Sequence, residues 1–473
     1  MIVVEPMFKT KLKPSRILFV LICLLFLFTR LYKISEIPPS VYWDEASIGY
    51  NAYSVLKTGK DEWGEFLPIH FRAFGEFKLP VYIYSVILFV QIFGLNEFSV
   101  RIPAVLFSLG SIILTYLLAK KLSSSEAVGL FSATLMTISP WFFIFSRTGF
   151  EVTAGLMFYL LGILLFLHKL NGKFFLLSVI SFILSAYSYN SFRILSPLTL
   201  LVLVLINKDN VIPLMWKSTL WIVVSFTISL LAVWPIWKLY VYDAGISRFQ
   251  AVSELTASVV VKNYLAHFDP YFLFIQGDNN SRHQQQGFGQ LYLAELILII
   301  AGLIYVLRSK LRYKWLPVVL IFLAPIPAAI TKESPHALRS LSMAPFINIV
   351  SALGLVYLMQ FFKRRILINA IVVAIFLIFF INYIINFIII YPLKSENFWQ
   401  LSYKKIFTDP KLQINDQEKI YISDRFGQPY IFALFYLKYD PEKFRMEVAR
   451  NSVDKWGFST VKSFGKFEFG DYR

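Results

Sequence analysis

Charge is scarce in this chain: Asp, Glu, Lys and Arg make up only 16% of its 473 residues, against roughly 25% in soluble domains. That scarcity, beside 57% hydrophobic and 18% aromatic residues and a mean hydropathy of +0.61, argues against an ordinary soluble chain. Cysteine is rarer still. The single Cys23 excludes a disulfide framework, and its place inside an apolar run makes it a small filler rather than a nucleophile. No glycine-rich phosphate loop follows a predicted strand, so nucleotide-driven chemistry is not indicated. Fixed-period repeats and low-complexity segments are also missing.

What the chain has instead is apolar runs of about 15 to 25 residues, long enough at 1.5 Å per residue to cross a hydrocarbon core of roughly 30 Å. They lack the period-2 alternation of barrel strands, so the fold class expected is an all-α polytopic membrane protein. The first run, Ile17 to Leu31, follows Lys9, Lys11, Lys13 and Arg16 and precedes Tyr32-Lys33-Ile34 with no small-residue cleavage site. It reads as a retained anchor with a cytoplasmic N-terminus. Further spans are expected near 103–119, 127–145, 150–168, 174–189, 194–206, 216–240, 291–307, 315–330, 341–360 and 366–391.

The apolar segment 80–96 decides the orientation. If it stays on the outer side, Lys120-Lys121, Lys169 with Lys173, Lys208, Arg308 to Lys314 and Lys363-Arg364-Arg365 all fall in cytoplasmic loops. That solution gives about eleven transmembrane helices. It also absorbs the formal charge of +17 as membrane topology rather than a nucleic-acid footprint. A multispan membrane domain over 1–391 is expected, with outer loops near 35–102 and 241–290. A small extramembrane C-terminal α/β domain over 392–473 would rest on the membrane, where 419–437 reads as a strand, a turn and an amphipathic helix.

The outer loops carry the chemistry. Asp44 and Glu45 sit just beyond the first span among Tyr42, Trp43 and Tyr50. A partly desolvated carboxylate there has the character of a general base; an acidic first turn of a helix is the plainer alternative. Glu76 and Lys78 precede Pro80, where a lysine can hold a lipid phosphate or simply snorkel. In the second long loop, His267, Arg282 and His283 stand among aromatic residues suited to stacking on a sugar, and the two histidines are weak metal-ligand candidates. His336 and Arg339 occupy another outer loop, and an arginine on that side is suited to clamp a phosphate leaving group. Arg193, after Tyr187-Ser188-Tyr189-Asn190, is a lesser candidate for the same task.

Asp44-Glu45 after the first span, Lys78-Leu79-Pro80, and Asn96-Glu97-Phe98-Ser99-Val100-Arg101-Ile102-Pro103 form a series. Ser139-Pro140-Trp141 and Ser146-Arg147-Thr148-Gly149-Phe150-Glu151 continue it. The series resembles the protein O-mannosyltransferase and lipid A aminoarabinose transferase superfamily, the family 39 glycosyltransferases and their bacterial relatives, of the GT-C fold. The resemblance covers about the first 200 residues by motif and the remainder by layout. It implies a polyprenyl-phosphate sugar donor, a membrane-embedded enzyme working at the outer face of the cell membrane, and inverting transfer with Asp44 as catalytic base. Glu45 would orient that base or bind the acceptor, Lys78 would contact the carrier phosphate, and Glu151 would match the acidic residue of the second outer loop. Tyr50, Arg101 and Arg147 join the substrate-binding candidates. Relatives often have Glu-Lys-Pro-Pro where this chain has Phe77-Lys78-Leu79-Pro80. The carboxylate therefore moves to Glu76 or is lost, and a divalent metal stays open as the sole cofactor candidate. The acceptor (protein, lipid or glycan) and the sugar are not specified. A transporter or flippase of lipid-linked sugars, and a glycan polymerase or ligase, are the other readings; ionisable residues at span ends rather than midplane favour the transferase.

Overall fold

In a computed structural model the chain is described over residues 14–169, 171–242, 249–250, 252–362, 365–410, 419–453 and 458–472. The basic residues Lys9, Lys11, Lys13, Lys363 and Arg364 lie outside the described residues. The apolar runs become helices: α1 Pro14–Leu31, α2 Trp43–Thr58, α3 Pro80–Phe93, α4 Glu97–Ser123, α5 Glu126–Ile138, α6 Pro140–Phe145, α7 Val152–His168, α8 Gly172–Ala186, α9 Ser191–Ile206, α10 Lys208–Lys217 and α11 Thr219–Tyr242. Apolar helices at Ala294–Arg308, Leu316–Leu323, Ile326–Ala329, Met343–Leu358 and Arg365–Ile389 follow. The molecule is a mostly helical polytopic membrane protein.

Several boundaries differ from the sequence expectation, each for a local reason. Helix α4 starts at Glu97 rather than near 103, because the Asn96 side chain accepts the Ser99 N–H at 3.0 Å and Glu97 favours the positive end of the dipole. Pro103 is carried inside this helix, as membrane helices tolerate. The expected spans 127–145 and 315–330 are each broken, at Ser139-Pro140 and between Leu323 and Ile326, where proline removes a donor. Helix α9 turns through 96° into α10. Asn207 holds that corner, donating to Leu203 O at 3.0 Å and accepting from Tyr313 Oη at 2.8 Å. With Trp216 82% exposed, α10 has the character of an interfacial helix preceding the long apolar α11.

Among the described residues, four helices are individually long and apolar enough to cross a membrane, at Pro14–Leu31, Glu97–Ser123, Thr219–Val241 and Ala370–Ile389; the bent pair makes a fifth if counted as one span. The other apolar helices are shorter. Helix α3, with 14 residues, reaches only about 21 Å at 1.5 Å per residue, less than the hydrocarbon core. Two of the shorter helices pack backbone to backbone. A Cβ on Gly302 would meet Val350 O at 2.0 Å, and one on Gly354 would meet Leu298 O at 1.9 Å. Only glycine lets these two helices approach so far.

Three fully buried arginines fix the chain that leaves α1. Arg30 donates from Nε to Ser146 Oγ at 2.8 Å and from a terminal nitrogen to Thr137 O at 2.7 Å. Arg147 gathers the carbonyls of Thr29, Tyr32, Lys33 and Ile37 at 2.8 to 3.3 Å. Arg101 takes those of Ile34, Pro38 and Ser40 and pairs with Glu45 through Nε–Oε1 at 3.0 Å and a second bond at 3.1 Å. Glu45 also accepts the Gly149 N–H at 2.7 Å. Segment 32–41 and the start of α2 are thereby tied to α4 and to the α6–α7 turn.

The tail shares a core with the first outer loop rather than standing apart. Strands β3 Ile420–Ser423, β4 Ala449–Arg450, β5 Val461–Phe464 and β6 Phe467–Gly470 pair in the order β3-β6-β5-β4, with β3 and β6 parallel and the other pairs antiparallel. The helix Pro429–Tyr436, expected to be amphipathic, is buried from Pro429 to Phe435 because it lies between this sheet and α2. Phe435 packs so near Gly49 that a Cβ there would come within 2.6 Å. The Tyr50 hydroxyl donates to Tyr439 O at 3.2 Å, and Glu62 accepts from Asn51 and Tyr430, each at 3.2 Å.

Two outcomes are expected from these contacts. Glu45→Ala leaves the Arg101 guanidinium buried without its carboxylate, and should cost about 3–5 kcal/mol, seen as a lowered unfolding temperature of the purified protein. Burial pushes the Glu62 carboxyl up to about 7 from its ordinary 4.5, outweighing the Arg450 charge. The folded chain holds this proton more tightly than the unfolded one, so Glu62 favours folding most below about pH 4.5 and loses that contribution as pH rises through about 7. Glu62→Gln should flatten the thermal stability profile across that window; an unchanged slope would refute the assignment.

Candidate active site

Helix α2 places Asp44 in its first turn, and the tail caps that turn: Gln400 Oε1 accepts the Trp43 N–H at 3.0 Å while Gln400 Nε2 donates to Phe426 O at 2.6 Å and Gly427 O at 3.1 Å. The short hairpin of β1 Phe71–Arg72 and β2 Phe77–Lys78 then delivers Lys78. Lys78 Nζ donates to Asp44 Oδ1 at 2.5 Å and to Glu76 Oε1 at 3.2 Å. Burial alone would lower the ammonium pKa, but the Asp44, Glu76 and Glu151 carboxylates outweigh it and shift it upward.

These groups line a cavity of about 920 Å3. Glu151, at the N-cap of α7, joins Asp44, Glu76 and Lys78 on its wall. Burial raises the Glu151 carboxyl to about 7 against the opposing pull of Lys78, with Asp44 and Glu76 adding to the rise. Lys78 thus pairs with two carboxylates, and burial raises the third acid on the wall, Glu151, to about 7.

Arginines line the same cavity. Arg193, at the start of α9, donates to Tyr240 Oη at 3.2 Å and lies 3.4 Å from His70 Nε2, while its buried Nε has no partner among the described residues. Arg282 stacks over Tyr42 and Trp43 at 5.2 and 5.4 Å from the ring centroids. Arg339 donates to Thr331 Oγ1 at 2.8 Å and approaches Glu333 at 4.0 Å. His283 and His336 complete the sequence-expected set on the wall.

Five other sequence candidates lie away from the cavity wall. Glu45, Arg101 and Arg147 form the buried clamp beneath α2, and Tyr50 joins α2 to the tail. His267 is buried, with Nδ1 at 2.9 Å from Asn263 O and Nε2 accepting the His336 N–H at 3.2 Å. Burial lowers its pKa to about 4, so it is neutral near pH 7. None of the five lines the cavity. Sequence reasoning passed over Asp278, whose Oδ2 lies 3.2 Å from His283 Nδ1, and Gln428, which the tail contributes to the wall. Asp278 stands five residues before His283 in one polar loop, which is a readable hint; nothing in the sequence flags Gln428 or the Gln400 cap.

The Glu151 proton is directly testable. A carboxyl infrared band should titrate near pH 7, vanish in Glu151→Gln and move to higher pH in Lys78→Met, where the stabilising cation is gone; a band insensitive to both substitutions would exclude this assignment.

Residues 78–238 match the family described as dolichyl-phosphate-mannose-protein mannosyltransferase, a stretch that includes Lys78, Glu151 and Arg193. Among solved structures, ArnT from Cupriavidus metallidurans bound to undecaprenyl phosphate aligns over 90% of this chain and 84% of that one, at 10% identity and a TM-score of 0.55. The apo state of the same protein aligns over the same shares at 12% identity and a TM-score of 0.51. The oligosaccharyltransferase AglB from Archaeoglobus fulgidus, in complex with an inhibitory peptide and a dolichol-phosphate, aligns at 13% identity and a TM-score of 0.52 over 89% of this chain. This chain spans 63% of that longer protein. A search of curated proteins by sequence gave no match.

Proposed function

Taking the chain as a GT-C fold protein that resembles the family 39 membrane glycosyltransferases, we propose that it moves a sugar from a polyprenyl-phosphate donor to an acceptor at the extracytoplasmic face of the cell membrane. The observation that carries this reading is the shared cavity, where Asp44, Glu76, Lys78 and Glu151 meet the arginines Arg193, Arg282 and Arg339. Carrier lipids presented in the solved relatives, undecaprenyl phosphate and dolichol-phosphate, support the donor class.

The groups divide the reaction between them. An acceptor hydroxyl or amine loses its proton to the Asp44 carboxylate as it attacks the anomeric carbon, and the bond from that carbon to the phosphate oxygen breaks on the opposite side, inverting the centre. Lys78 fixes the orientation of Asp44 through their hydrogen bond. Negative charge developing on the departing phosphate needs cations placed in advance. Arg339 and Arg193, both on the wall, supply them. Tyr42 and Trp43, stacked under Arg282, offer an aromatic face for the sugar ring. Glu151 provides a second base in the same cavity, favoured by its raised pKa near 7.

Transfer of label from polyprenyl-phosphate sugars, in membranes with wild type or variants, separates these roles. Asp44→Asn should lower turnover by roughly 10² to 10⁴, and Arg339→Ala should raise the donor KM more than it lowers kcat. A full rate in Asp44→Asn with a lost rate in Glu151→Gln would transfer the base to Glu151. No transfer from any donor by the folded wild type would favour transport, to be followed by a flipping assay.

A further inference from the structure

The loop 277–290 and the segment 331–342 meet at the cavity wall through side chains that the transfer scheme does not use. Asp278, His283 and His336 each bring a ligand atom within 4.8 Å of the others, and all three side chains are buried. The two imidazole rings lie 4.7 Å apart, centroid to centroid. From these residues we propose a divalent transition-metal site of the zinc class that clips the two outer loops together beside the catalytic cavity.

Donor chemistry selects this class. Two imidazoles with one carboxylate suit zinc and its neighbours, whereas magnesium and calcium prefer all-oxygen sites. Spacing agrees for one pair already: His283 Nδ1 and Asp278 Oδ2 lie 3.2 Å apart, close to the roughly 3.3 Å between two ligands each about 2.0 Å from a tetrahedral zinc. His336, whose Nδ1 accepts the Arg339 N–H at 3.4 Å, brings the third ligand atom within 4.8 Å of the other two. Glu333, whose Oε2 is 3.7 Å from His336 Nε2 and whose side chain is 78% exposed, or a water, completes the four.

The backbone around the three residues is already anchored as a metal site requires. Asp278 Oδ2 accepts the Ala337 N–H and Oδ1 accepts the Asn280 N–H, both at 2.8 Å, so the carboxylate is fixed to both loops. His267 supports His336 from behind. Its Nδ1–H is directed at Asn263 O, leaving Nε2 as the acceptor for the His336 N–H. Supporting partners of this kind orient metal ligands and are worth about 10- to 100-fold in affinity. An ordinary Asp–His hydrogen bond would show the first contact; it does not require a second histidine from another loop, held by a third.

The test needs no sugar donor, so its result is independent of the proposed transfer. The full chain, purified in detergent and stripped with EDTA, is equilibrated with Zn2+ in excess Mg2+, desalted and analysed for metal. One zinc per chain is expected, with affinity lowered at least about 10²-fold in both His283→Gln and His336→Gln. Cobalt-loaded wild type should show the intense visible bands of a four-coordinate site, which keeps the proposal testable if a variant does not fold. Substoichiometric zinc in the wild type, wild-type affinity in either folded variant, absent cobalt bands, or zinc lost only in Glu76→Gln would each overturn the site.

Discussion

Everything at the cavity depends on how Arg101 and Glu45 are buried together. The pair is fully removed from solvent, and the remaining donors of Arg101 are spent on the carbonyls of Ile34, Pro38 and Ser40. A guanidinium in such a place is tolerable only when its charge is matched and its N–H groups are filled. Those conditions fix segment 32–41 and the first turn of α2 in one position. Asp44 precedes Glu45 in that turn, so locking one carboxylate inward directs its neighbour toward the cavity. Arg147 and Arg30 extend the same logic to the end of α1, by holding carbonyls and hydroxyls that have no regular secondary structure to satisfy them.

The tail is part of the same construction. Gln400 fills the Trp43 N–H at the start of α2, Lys404 pairs with Glu97 at 2.9 Å, and the buried helix Pro429–Tyr436 packs on the opposite side of α2. Helix α2 is therefore held on one side by arginines and on another by the tail. Rigid support on both sides suits a site in which a lysine keeps several carboxylates together against their repulsion.

Charges of both signs meet in the cavity. Asp44, Glu76 and Glu151 surround Lys78, while Arg193, Arg282 and Arg339 are held by neutral or aromatic partners for most of their contacts. The sugar-phosphate donor proposed above would meet groups of both signs in this cavity. The low effective dielectric of a buried site strengthens both kinds of contact.

Composition and run length determined by themselves that this is a helical membrane protein, because no soluble arrangement hides so many apolar runs and no barrel is built without alternation. Residue type also marked Asp44, Lys78, Arg193, Arg282, His283, His336 and Arg339, since each is an ionisable group near a span end, while Glu76 and Glu151 entered through the family resemblance. What sequence could not separate was function from support. Glu45, Arg101 and Arg147 carry the same chemical signal as their neighbours, and only the tertiary structure turns their side chains into the protein and away from the cavity. Helix breaks at Ser139-Pro140 and Asn207, the burial of the helix Pro429–Tyr436, and the arrival of Gln400 and Gln428 from the far end of the chain were likewise decided by packing. Local pattern reports what a residue can do; the direction in which it faces is set by contacts hundreds of residues distant.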